Sequence, residues 1–253
     1  VSKPVTLYSL DTAVTSGYAI FDGIDNKTII SINTGDWYFK TNPFTIDFWV
    51  NLSVDDVGDV RPVWCYGLGG TRTWFLVHTS GLEFKWYHGV TPIQYATSNM
   101  ILNTQQWYHV ALVRTGTNVA EANSGWHFYV DGVDAGLLKL GYLDWNWEMP
   151  NHASAAQLGR DTAIAQYFSG WVDELRVSNI ARWTSDFSPG SYPSAQYATD
   201  GNTLLLMHLD VNETDSTARH VCGTGLDFDS NFTAEKPINF YDRIDEKPVI
   251  FYG

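Results

Sequence analysis

Short runs in which apolar and polar residues alternate recur along this chain, and no run sustains a 3.6-residue apolar period. Typical runs are "YAIFDG" (18–23), "FTIDFWVNL" (44–52), "QWYHVALVRT" (106–115), "GWHFYVDG" (125–132), "FSGWVDELRVS" (168–178) and "NTLLLMHLD" (202–210). Gly, Asn, Asp and Pro punctuate them. β-Branched and aromatic residues spaced by turn formers read as strands. The only helical candidate is the short "NIARW" at 179–183. Many short strands with loop punctuation require two stacked sheets or a closed barrel. The expected fold class is all-β.

Alternation also assigns faces. Phe44, Ile46, Phe48 and Val50 share one side of their strand and are expected in the core. Tyr108, Val110 and Leu112 alternate with Trp107, His109 and Ala111, both sides partly apolar as in a central strand, and Trp126, Phe128 and Val130 share one face. Asp131-Gly132 reads as a tight turn. In 168–178 the same rule groups Trp171, Asp173, Leu175 and Val177 on an inward face. It groups Val172, Glu174, Arg176 and Ser178 on the other, with Glu174 and Arg176 as a solvated pair.

With 253 residues, the chain is of a size that β-sandwiches often use as one domain. Aromatic content is 15% and hydrophobic content 44%, enough for a large core. Net charge is −13, with no basic cluster. A nucleic-acid partner is therefore excluded, because such binders need a basic face to displace counterions. No apolar run approaches the length of a membrane span, so membrane insertion is not expected. "VSKPVTLYSLDTAV" lacks the apolar core of a signal peptide; either a leader has been removed or none was used. Cys65 and Cys222 are expected to be two buried thiols rather than a disulfide framework.

From about residue 186 the texture changes to a Pro/Ser/Gly-rich connector, "DFSPGSYPSAQYATDGN". A strand-like "TLLLMHLD" and a polar tail follow. The expected division is a sandwich over 1–187. Residues 188–253 form a connector, one strand at about 202–210 and an extension that packs on the sandwich or a neighbour.

Five segments in order, "FDGIDNKTIIS" (21–31), "FTIDFWVNL", "WYHVALVRTG" (107–116), "FYVDG" (128–132) and "LGR…YFSGWVDELRVSNIARW" (158–183), resemble the concanavalin A-like, laminin-G-like jelly-roll domains. The resemblance covers about residues 17–187. It implies two antiparallel sheets of six or seven strands each. Many relatives are glycosidases or lyases, and a retaining glycosidase needs two carboxylates ~5 Å apart on one face. Asp173 and Glu174 are consecutive and point opposite ways, and Asp47 has Trp49 where a partner would sit. No enzyme is expected. The resemblance also implies a structural calcium bound by Asp173 with the "FDG" turn, where Asp22 and Asp25 are the acidic positions. Asn26 replaces a second Asp of the common pattern and lowers the ligand charge. The other way to satisfy Asp173 is backbone N–H groups of that turn, with no ion.

Trp37, Trp145 and Trp147 fall in expected loops beside Asn, Asp and Glu. Rings so placed serve as loop anchors, partner contacts or sugar-stacking platforms. The run "ARWTSDFSPGSYPSAQYATDGNTLLLMHLD" (181–210) is similar to segments that follow such domains in phage and virus structural proteins. The resemblance implies a non-enzymatic binding or assembly module at a virion surface: capsid decoration, tail or fibre. Its partners would be other virion proteins or itself, and a host-surface glycan. The alternatives are a secreted, extracellular lectin or adhesin domain, or a polysaccharide-degrading enzyme.

Overall fold

A computed structural model describes residues 17–23, 28–30, 38–54, 62–68, 71–88, 91–98, 100–115, 125–136, 139–140, 151–152, 156–161, 166–192, 196–209, 220–221, 239–242 and 248–249. In chain order the strands are β1 (Gly17–Asp22), β2 (Thr28–Ile30), β3 (Phe44–Leu52), β4 (Pro62–Leu68), β5 (Thr71–His78) and β6 (Gly81–His88). Next come β7 (Thr91–Thr97), β8 (Trp107–Arg114), β9 (Trp126–Val130), β10 (Val133–Asp134), β11 (Lys139–Leu140) and β12 (Ala156–Leu158). The last are β13 (Ser169–Ser178), β14 (Thr203–Met207), β15 (His220–Val221), β16 (Asn239–Asp242) and β17 (Pro248–Val249). The "NIARW" segment forms no helix; it is irregular chain leaving β13.

Two sheets stack. The first runs β10-β9-β8-β3-β13-β1-β16-β17, with β14 also on β13 and β15 on β14. The second runs β11-β7-β6-β5-β4-β12-β2. Apart from the parallel β14–β15 pair, their ladders are antiparallel. The core between them holds Phe44, Ile46, Phe48 and Val50 of β3, Tyr108, Val110 and Leu112 of β8, and Trp126, Phe128 and Val130 of β9. Phe75, Val77 and Phe84 meet them from the second sheet. Each buried ring of this size contributes about 1.5–3 kcal/mol of hydrophobic stabilisation. Cys65 is buried on β4, and Cys222 lies outside the described residues.

Strand β13 departs from simple alternation. Asp173 lies opposite Trp49, and Arg176 lies opposite Asp47, so three steps on β13 face two on β3. That is a β-bulge, and Glu174 adopts φ +53 within it. The extra residue resets the faces. Val172, Leu175 and Val177 enter the core, while Trp171, Asp173 and Arg176 lie on the outer face with Asn51, Trp49 and Asp47. The expected inward set of Trp171 and Asp173 is corrected accordingly. The bulge also marks a change of neighbour: β1 pairs with residues 169–172 of β13, and β14 with residues 175–178.

The connector does not hang free. Its described parts, 179–192 and 196–202, lie along the outer face of the first sheet as a strap. Ala181, Trp183 and Phe187 pack on Ala111, Val113 and Tyr129. The Phe187 amide donates to the Gly132 carbonyl at 2.9 Å, and Asp186 Oδ1 accepts from the Asp134 amide at 2.9 Å. Gly132 has φ +79, and a Cβ there would sit 1.9 Å from the Phe187 oxygen, so only glycine allows this approach. Strand β14 then joins the sandwich's own sheet through β13.

Candidate functional site

Two groups of side chains occupy the outer face of the first sheet. The first is a buried polar cluster. Asp47 is fully buried, and Arg176 grips it through two bonds, Nε to Oδ1 at 3.1 Å and Nη2 to Oδ2 at 2.8 Å. His109 Nε2 stands 3.5 Å from Oδ2. The Tyr197 ring of the strap caps the guanidinium at 4.2 Å, and Trp183 lies 5.8 Å from it. Burial alone would raise the Asp47 pKa, but Arg176 and His109 outweigh it and hold the carboxyl below the usual aspartate range. Burial likewise works against the Arg176 charge, and Asp47 more than restores it. Burial pushes the Tyr197 phenol far up, so it stays neutral.

Glu174 is the second member of the Asp173-Glu174 dipeptide, and it is fully buried rather than solvated. His208 Nδ1 lies 3.0 and 2.9 Å from its two carboxylate oxygens. The Tyr197 amide donates to Oε2 at 2.8 Å. The carboxylate therefore ties the strap to the chain just beyond β14. The expected Glu174–Arg176 surface pair does not form, because the bulge turns Arg176 toward Asp47. Arg182 secures the strap a second time through a fork on Asp200, at 3.1 Å on each arm.

Of the acidic residues expected to share calcium, Asp22 and Asp173 are not brought together. Asp22 is exposed at the end of β1, opposite Ser169. Asp173 is four residues further along β13 and fully buried, which sets it about 13 Å from Asp22 along the strand. One calcium ion with oxygens at about 2.4 Å does not span that gap. Asp25 lies outside the described residues, and among the described residues no group of three acidic, His or Cys side chains converges on a metal-sized site.

The second group is aromatic. Tyr18, Trp107, Trp171 and Tyr192 are each partly exposed on this face. Trp107 stacks on Tyr192 of the strap at 3.9 Å and 17°, and Tyr18 meets Trp107 edge-on at 5.6 Å. Asn51 lies between Trp107 and Trp171 in the sheet, paired with both across the ladder. Its Oδ1 and the nearby Trp49 Nε1 are enclosed and make no hydrogen bond. Alternation along β8 does not single out Trp107, because both faces of that strand are partly apolar. Trp37, Trp145 and Trp147 lie outside the described residues.

The buried pair generates a direct expectation. Asp47→Ala leaves the Arg176 charge under the strap without its partner and should cost about 3–5 kcal/mol in urea denaturation. Asp47→Ala with Arg176→Met should recover part of that loss. In the wild type the Asp47 contribution is fully present above the unfolded aspartate pKa of ~3.9 and is lost as pH falls through the lower folded value. The single variant should lack this acid-side fall; an unchanged profile would contradict the assignment.

Residues 25–186, well over half of the chain, match the Laminin_G_3 family of the concanavalin A-like lectin/glucanases superfamily. No curated protein matches the chain. Among solved structures, a Bacteroides ovatus protein named for an inferred carbohydrate-binding role is similar at 20% identity and a TM-score of 0.53. That match covers 79% of this chain and 53% of the other, so the chain spans about half of that protein's length. The heptameric SAP-like pentraxin of Limulus polyphemus is similar at 14% identity and a TM-score of 0.44, over 68% of this chain and 80% of that one. The CBM40 of the Ruminococcus gnavus IT-sialidase, solved with α2,3 sialyllactose, is similar at 11% identity and a TM-score of 0.45, over 64% and 92%. The order of strands and the family match agree: the chain belongs to the concanavalin A-like lectin/glucanases superfamily.

Proposed function

We propose that this protein is a non-enzymatic carbohydrate-binding module whose contact surface is the outer face of the first sheet, at Tyr18, Trp107, Trp171 and Tyr192. The observation that carries the reading is a cluster of partly exposed rings, Tyr18, Trp107, Trp171 and Tyr192, set around the half-buried amide of Asn51. Flat rings bury the C–H faces of a pyranose, and a side-chain amide among them is the kind of group its hydroxyls pair with. The role printed for the Bacteroides ovatus protein agrees with this, although a likeness at 20% identity reaches the fold alone.

Absence of catalysis belongs to the same proposal. Asp47, Asp173 and Glu174 are fully buried, which leaves them closed to a polysaccharide chain. The setting at a virion surface, as a decoration, tail or fibre domain, rests on the resemblance of residues 181–210. That setting predicts a symmetric oligomer in solution, and a strict monomer by light scattering would contradict it.

The glycan reading is tested by titrating the full chain against a carbohydrate panel. Trp107→Ala should weaken saccharide binding by about tenfold or more, the scale of a central aromatic anchor, with the unfolding midpoint still cooperative. Saccharide binding unaffected by the change, or release of new reducing ends from any polysaccharide tested, would overturn the reading.

A further inference from the structure

We propose that the saccharide taken by this face is uncharged. The inference rests on the carbohydrate reading above and concerns only the ligand's charge. Recognition of a sialate, uronate or sulfate needs a cation with free donors, usually an Arg fork or a Lys. Among the described outward-facing residues of β1, β3, β8 and β13, the sole Lys or Arg is Arg176. Its donors Nε and Nη2 are spent on Asp47, the Tyr197 ring covers it, and it is 9% exposed. The strap's Arg182 is committed in the same way, with both arms of its fork on Asp200 and further bonds to Ser178 and Thr203.

The surrounding field has the opposite sign. Asp22 is exposed at the end of β1, on the side of the sheet that carries Tyr18. The chain as a whole carries −13. An acidic sugar would approach negative charge within about one Debye length, ~8–10 Å at ordinary salt, and among the described outward-facing residues of these strands would find no cation with a free fork to replace its hydration. A neutral sugar loses nothing by this arrangement. Its C–H face lies against the row of rings formed by Trp171 and the Trp107–Tyr192 stack around the half-buried Asn51.

Two features of binding follow. Affinity should be nearly constant from about 0.05 to 0.5 M NaCl, because no ion pair is there to be screened. Selection should fall on neutral polymers of hexoses, pentoses or N-acetylhexosamines, with acidic polymers excluded.

The experiment is isothermal titration of the full chain against two panels at both salt concentrations. One panel holds neutral glucan, xylan, galactan and chitin oligosaccharides; the other holds sialylated, sulfated and polyuronate ones. Trp107→Ala and Asn51→Ala are run beside the wild type, the second as a milder change should the first unfold. Binding confined to the neutral panel, insensitive to salt and weakened about tenfold in either variant supports the proposal. Salt-sensitive binding of acidic glycans that Trp107→Ala abolishes would overturn the charge assignment and leave the carbohydrate site standing. Binding of neither panel would remove the site itself, and this proposal with it.

Discussion

A charge pair buried on the wrong side of a sheet organises this molecule. Asp47 and Arg176 point away from the core of the sandwich, yet both are buried. Taking two ions out of water costs several kcal/mol each, and their mutual attraction repays this only with good geometry and complete cover. The two-armed grip of Arg176 supplies the geometry. The strap supplies the cover, with Tyr197 over the guanidinium and with Trp183 and Phe187 stacked on each other at 3.9 Å beside it.

The bulge in β13 makes this possible. Without its extra residue, Arg176 would share a face with Val172 and point into the core. With it, Leu175 and Val177 turn inward and Arg176 emerges opposite Asp47. Glu174 occupies a backbone conformation that costs a non-glycine residue about 1 kcal/mol or more. Its carboxylate offsets that cost by holding His208 and the Tyr197 amide at the seam where β13 exchanges β1 for β14. The outer aromatic surface depends on the same device, since Tyr192, which stacks on Trp107, is carried by the strap.

The sequence disclosed the sandwich well. Phe44, Ile46, Phe48 and Val50 alternate without interruption, and they line the core as their spacing demands. Asp131-Gly132 makes its turn because the positive φ angles there, +50 and +79, suit those residues. Faces on β13 were not readable, because one inserted residue inverts everything beyond it and leaves no mark in the composition. That is why Asp173 looked inward and Glu174 looked solvated. The strap was hidden for a different reason. "DFSPGSYPSAQYATDGN" has the composition of a linker, and only its spaced aromatics, Phe187, Tyr192 and Tyr197, hinted that it lies on something. Asn51 falls opposite the core set of its strand, while both faces of the Trp107 strand are partly apolar, and alternation does not say which outward residues a covering segment leaves accessible.

Burial of Asp47 and Arg176 therefore requires the strap to be part of the folded sandwich. Amide hydrogen exchange followed by mass spectrometry or NMR measures this directly. The amides of Phe187 and Tyr197, which donate to Gly132 and Glu174, should be protected to the same extent as those of β3 and β13. Exchange of those two amides at the rate of an open loop, while β3 and β13 remain protected, would contradict it.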